Sequence, residues 1–97
     1  MNQQIVQALK DQPEWKITEE RLEREWIFRD FAAAMQFVER VAFIAEEMNH
    51  HPDIWIRYNR VQLLLTTHDT GGITALDVAF ATRLNQKLMH SAGDESV

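Results

Sequence analysis

Ninety-seven residues carrying a net charge of −5 and no cysteine make a small acidic chain. A chain this short holds one core and buries roughly 60–65% of its unfolded surface, so self-association would add to its stability. The missing cysteines exclude disulfides, thiolate catalysis and cysteine-ligated metal; the acidic balance, with no block of Lys or Arg, excludes direct nucleic-acid binding; and no apolar run is long enough to span a membrane.

Ile5, Val6 and Leu9 stand at helical spacing, which predicts a first helix over residues 2–10, ended by Pro13. The Glu/Arg-rich stretch that follows has helical propensity, yet Leu22, Trp26 and Phe28 fall on one side of an alternating pattern, with Glu23 and Glu25 opposite. The alternation favours a hairpin: a strand around Trp15 to Thr18, a turn near Glu19-Glu20, and a strand through Phe28. Asp30 is a suitable N-cap for a helix over residues 31–48. Its expected core stripe is Phe31, Met35, Val38, Val41, Ala42, Ala45 and Met48, flanked by Phe37 and Ile44. So much apolar surface exceeds what one small core covers, which points to subunit contact through this helix.

β-branched and aromatic runs then cover residues 54–58 and 61–67, with a turn expected at Asn59-Arg60 because Asn tolerates left-handed backbone. Gly71-Gly72 allows a change of direction. Thr74, with Asp77 three residues on, reads as a near capping box for a last helix whose core stripe is Leu76, Phe80, Leu84 and Leu88. The order is α-β-β-α-β-β-α, which predicts an α+β fold: a four-stranded antiparallel sheet with helices packed on one face. A single domain is expected over residues 1–90, and the small polar residues 91–97 read as a flexible tail.

Three of the four histidines lie in the middle third. His50 and His51 are adjacent and precede Pro52, which pushes His51 into extended backbone, where neighbouring side chains diverge. His51 and His68 flank the second hairpin, and an antiparallel hairpin returns its ends to one edge, so the histidines should converge. Exposed loop histidines are the plain alternative, but clustering of ionisable groups favours a site. A three-histidine zinc centre is the competing arrangement. The divergence of adjacent rings and the absence of an HExxH helix weigh against it. His90 reads as a surface residue near a helix C-terminus. Asp77 reads first as a cap that could also face the cleft, and Trp15, Trp26 and Trp55 first as core.

The residues His50-His51-Pro52, Trp55, Tyr58-Asn59, Val61, Thr66-Thr67-His68, Gly72, Thr74 and Asp77 closely resemble the pterin-4a-carbinolamine dehydratases. The likeness continues upstream through Trp15, Phe28-Arg29-Asp30-Phe31 and the long helix. It implies the α+β fold just read and a hydro-lyase that dehydrates 4a-hydroxytetrahydropterin to quinonoid dihydropterin, in tetrahydropterin recycling for aromatic amino-acid hydroxylation. That chemistry needs one proton delivered and one removed, which suits histidine near neutral pH, with no metal or redox cofactor. The resemblance places acid–base work on His50 and His68, and pterin binding with catalytic support on His51. Substrate binding goes to Asp77, Trp15 and Thr67, with Asp77 orienting a histidine or holding the pterin and Trp15 walling the site. Some members carry an acid where this chain has Asn49.

The same resemblance implies a homodimer or homotetramer and a functional link to an aromatic amino-acid hydroxylase. It leaves open a non-catalytic alternative, a dimerisation, assembly or coactivator-type protein of the same fold. Residues 1–4 lack the basic and apolar regions of a secretory signal, so a cytoplasmic location is expected.

Overall fold

The computed structural model describes residues 3–67 and 69–95. Helix α1 (Gln3–Lys10) buries Ile5 and Leu9, and the amides of Asp11 and Gln12 fold back onto the carbonyls of Ala8 and Leu9 before Pro13 ends the run. Asn2, the expected first residue, lies outside the described residues. Strands β1 (Lys16–Thr18) and β2 (Arg21–Ile27) form the first hairpin. Its two-residue turn puts both Glu19 (φ 49°) and Glu20 (φ 62°) in the left-handed region, the geometry that matches strand twist.

Helix α2 (Phe31–Met48) starts where the Asp30 carboxylate accepts the Ala33 amide at 2.9 Å. Strands β3 (Asp53–Arg57) and β4 (Arg60–Leu65) make the second hairpin, and α3 (Ala75–Glu95) closes the chain. The sheet is antiparallel in the order β1-β2-β4-β3. Cross-strand neighbours Leu22 and Leu65, Arg24 and Leu63, and Trp26 and Val61 define the face that meets the helices. Glu25, Gln62 and Trp55 form a row on the opposite, helix-free face. Among the described residues no helix is long and apolar enough to cross a membrane.

Four details depart from the sequence reading. The stripe of α2 that faces the core is Ala34, Phe37, Val41, Ile44 and Ala45, rotated from the expected one, whereas Phe31 is 50% exposed and Phe43 61%. Apolar residues circle so much of this helix that spacing alone cannot select the side the sheet covers. The second hairpin turns at Tyr58-Asn59, one residue early, and the left-handed conformation falls on Tyr58 (φ 53°). Asn59 instead stitches the turn to the end of β2: its carbonyl accepts the Phe28 amide and its side-chain amide donates to the Phe28 carbonyl, both at 2.8 Å. On α3 the buried side is Asp77, Val78, Phe80, Ala81 and Leu84, and Leu76 is exposed. Finally, α3 runs to Glu95, five residues beyond His90, through a stretch that holds no proline to stop it. Ser96, Val97 and the side chain of His90 lie outside the described residues.

Candidate active site

Four segments meet at the mouth of the second hairpin: the end of α2, the chain before β3, the chain after β4 and the start of α3. Asn49 ends α2 in left-handed backbone (φ 50°), a conformation Asn accepts more readily than most residues. The Asn49 amide bonds the Glu46 carbonyl and the His50 amide bonds the Ala45 carbonyl at 3.1 Å. This paired closure turns the chain sharply and delivers His50 beside the first turn of α3.

Asp77 is the centre of the cluster and is fully buried. Its Oδ1 accepts from His50 Nε2 at 2.6 Å. Its Oδ2 accepts the Thr74 amide at 2.8 Å, completing the capping box, and the Thr67 hydroxyl at 2.9 Å. The Thr67 hydroxyl in turn lies 2.6 Å from that of Thr74, which accepts the Leu76 amide at 3.2 Å. A chain of hydrogen bonds therefore runs from the Leu76 amide through the Thr74 and Thr67 hydroxyls onto the carboxylate. Three hydrogen bonds and the N-terminal end of α3 converge on this one side chain.

A carboxylate can only accept, so the Nε2 of His50 carries a proton, and in the neutral ring the lone pair falls on Nδ1. Nδ1 makes no hydrogen bond among the described residues. The ring stands edge-on to Phe80 at 6.4 Å between centroids and is mostly buried. An imidazole whose Nε2 is committed to a buried carboxylate presents its Nδ1 in a fixed direction, the arrangement of a positioned acid–base group.

His51 faces elsewhere. Its Nε2 meets Glu46 Oε2 at 2.7 Å, with both side chains largely exposed. The adjacent rings thus answer to two different carboxylates and do not converge on one point. Glu46 escaped the sequence reading. The signal that could have found it is its place in the last turn of α2, five residues before His51 across the cap.

The structure brings His50, Thr67 and Asp77 together and sets His51 beside them on the exposed side. Thr67 follows β4 and His50 precedes β3, so the two ends of the hairpin do return to one place. His68 lies outside the described residues. Trp15 belongs to the buried core: it is 4% exposed, edge-on to Trp26 at 5.8 Å and under the guanidinium of Arg24, and its indole N–H has no partner among the described residues. A large ring following Pro13 is drawn into the core between α1 and the sheet, where it covers more apolar area than at a cleft rim.

The family model described as pterin 4 alpha carbinolamine dehydratase matches residues 1–87 of the chain. A Thermomicrobium roseum protein carrying a provisional pterin-4-alpha-carbinolamine dehydratase name is 54% identical over 80 residues, covering 82% of this chain and 86% of that protein. An Acidobacterium capsulatum protein with the same provisional name is 49% identical, covering 87% and 91%. Among solved structures, a Brucella melitensis protein described as a transcriptional coactivator/pterin dehydratase superposes with a TM-score of 0.80 at 32% identity, over 89% of this chain and 95% of that one. A pterin dehydratase-like protein described as a RuBisCO assembly factor of the alpha-carboxysome shares the fold alone, with a TM-score of 0.60 and 22% identity over 74% and 83% of the two chains.

Proposed function

Because the chain belongs to the pterin 4 alpha carbinolamine dehydratase family, we propose that it dehydrates a 4a-hydroxytetrahydropterin to the quinonoid dihydropterin by histidine acid–base catalysis. The reaction protonates the 4a-hydroxyl, which leaves as water, and removes a proton from a ring nitrogen. His50 takes that proton on Nδ1, the nitrogen left open by the bond from Nε2 to Asp77. His68, next to Thr67 in the sequence, supplies the acid. Thr67 holds Asp77 in place, and His51, oriented by Glu46 at the rim, binds the pterin. The observation that carries this reading is the 2.6 Å contact of His50 with the fully buried Asp77, which Thr67 reaches from the other end of the hairpin.

The test follows the absorbance of 4a-hydroxytetrahydropterin with wild type, His50→Ala and His68→Ala, each with and without EDTA. Turnover should fall about 10²–10⁴-fold in either variant, the usual share of a positioned acid or base, with no response to chelator. Unchanged turnover in both variants would sink the assignment, and inhibition by EDTA would return a metal to the mechanism.

Recycling of the cofactor of an aromatic amino-acid hydroxylase, in the cytoplasm, is the cellular role that fits this chemistry. Phe31 and Phe43, exposed on α2, support a homodimer or homotetramer. Sedimentation velocity should find an oligomer for wild type and smaller species for Phe43→Ser. A second reading is a non-catalytic interaction protein, favoured by the coactivator and assembly-factor descriptions of two structural relatives. Absence of turnover in the wild type would select it.

A further inference from the structure

A cavity of about 510 Å3 opens between the end of α1, the segment after it and the middle of α3, and shares no residue with the histidine cluster. Asn85 lines it, eight residues along α3 from Asp77 and hence about 12 Å away at 1.5 Å per residue. Its volume falls within the range of roughly 300–1,000 Å3 usual for small-molecule sites.

Its polar lining is tied into one chain of hydrogen bonds. Gln12, 7% exposed, donates to the Thr82 hydroxyl at 2.9 Å and accepts from the Asn85 side-chain amide at 2.7 Å. The Asn85 oxygen accepts from Arg24 Nη1 at 2.8 Å. The guanidinium carbon of Arg24 also lies 4.5 Å from the ring centroid of Trp26 and 5.9 Å from that of Trp15. Arg24 thereby sits over indole with a single hydrogen bond, and among the described residues it makes no ion pair. Burial pulls this guanidinium below its ordinary pKa, and the charge of Glu14 works against that shift.

A partly desolvated cation, oriented by a network and facing Glu14 only at a distance beyond an ion pair, leaves room for an anionic group to complete it. A simple anion is a poor fit, because Asp11 and Glu14 line the same cavity, exposed and without ion pairs among the described residues. A ligand carrying both charges satisfies all three side chains. Ala8 and Leu88 add a small apolar wall.

We propose that this cavity binds a free α-amino acid with an aliphatic side chain. Its carboxylate docks on Arg24, its ammonium lies between Asp11 and Glu14, and its side chain rests on Ala8 and Leu88. The cavity holds this ligand whether or not the histidines act on a pterin.

The experiment is a titration of the full chain by amide NMR with three probes: L-leucine, N-acetyl-L-leucine, which lacks the ammonium, and L-leucinamide, which lacks the carboxylate. Leucine should give saturable shifts around Gln12, Arg24 and Asn85, and each blocked probe should bind about tenfold more weakly, the loss of one charge-assisted contact. Arg24→Gln should remove binding. The double variant Asp11→Asn/Glu14→Gln alters exposed side chains only. It should weaken leucine about tenfold while leaving N-acetyl-leucine no weaker, and it decides the matter if Arg24→Gln does not fold. No saturable shift with leucine, equal affinity for all three probes, or shifts confined to His50 and Thr67 would overturn the proposal.

Discussion

His50 and His51 are neighbours in sequence and opposites in environment. His50 is mostly buried against a fully buried carboxylate that has two further donors. His51 pairs with a carboxylate of which most is in solvent. The distances, 2.6 and 2.7 Å, hardly differ, so distance does not separate a fixed ring from a labile one. What separates them is the shell around each acceptor. Asp77 cannot move without breaking the cap of α3 and its bond from Thr67, whereas Glu46 swings at the cost of one surface contact.

The comparison would be broken most directly by turnover. His50→Ala is expected to lower kcat about 10²–10⁴-fold, whereas His51→Ala should act mainly on KM, with kcat reduced about tenfold or less. Equal losses of kcat would mean that the two rings share one task. Stability gives the next largest contrast. Asp77→Ala removes a helix cap and strands the Thr67 hydroxyl and the His50 ring, so urea denaturation should register a loss of about 2–3 kcal/mol. Glu46→Ala should stay within about 0.5 kcal/mol of wild type. Ionic strength sharpens the contrast without mutation. Raising salt should shift the ring 15N resonances of His51 toward those of a free imidazole and leave those of His50 in place, since exposed pairs are screened and buried ones much less. The smallest effect is expected at the C-terminus. A chain ending at His90 should keep full turnover in the same absorbance assay, because residues 91–97 take no part in the proposed site.

Much of this contrast is legible in the sequence. Asp30, Pro13 and Pro52 mark where elements stop or start by rules that act over three or four residues, and those boundaries fall close to where they were expected. The capping box of Thr74 and Asp77 is equally local, and it carried the buried carboxylate of the site with it. What spacing could not supply was the side of α2 that meets the sheet, because Phe31 and Phe43 extend its apolar surface beyond the covered stripe. Trp15, which reads first as core, lies there edge-on to Trp26, whereas Trp55, read the same way, is exposed on the helix-free face. Tyr58 takes the left-handed turn position for which Asn59 is the better intrinsic candidate, because Asn59 is committed to Phe28 through two hydrogen bonds. Glu46 and Arg24 were missed for one reason: each is a charged residue whose partner lies across a cap or a sheet, and sequence separation does not encode that direction.

Helix α2 holds 18 residues between its caps, which at 3.6 residues per turn is about five whole turns. The chain therefore leaves the helix on the same azimuth at which it arrived, and β2 and β3 can belong to one sheet. The helix behaves as a gauge block between Asp30 and Asn49. Adding or deleting one residue within it would rotate the departing chain by about 100° and carry the His50 ring off Asp77. Length changes should accordingly spare the interval from Asp30 to Asn49.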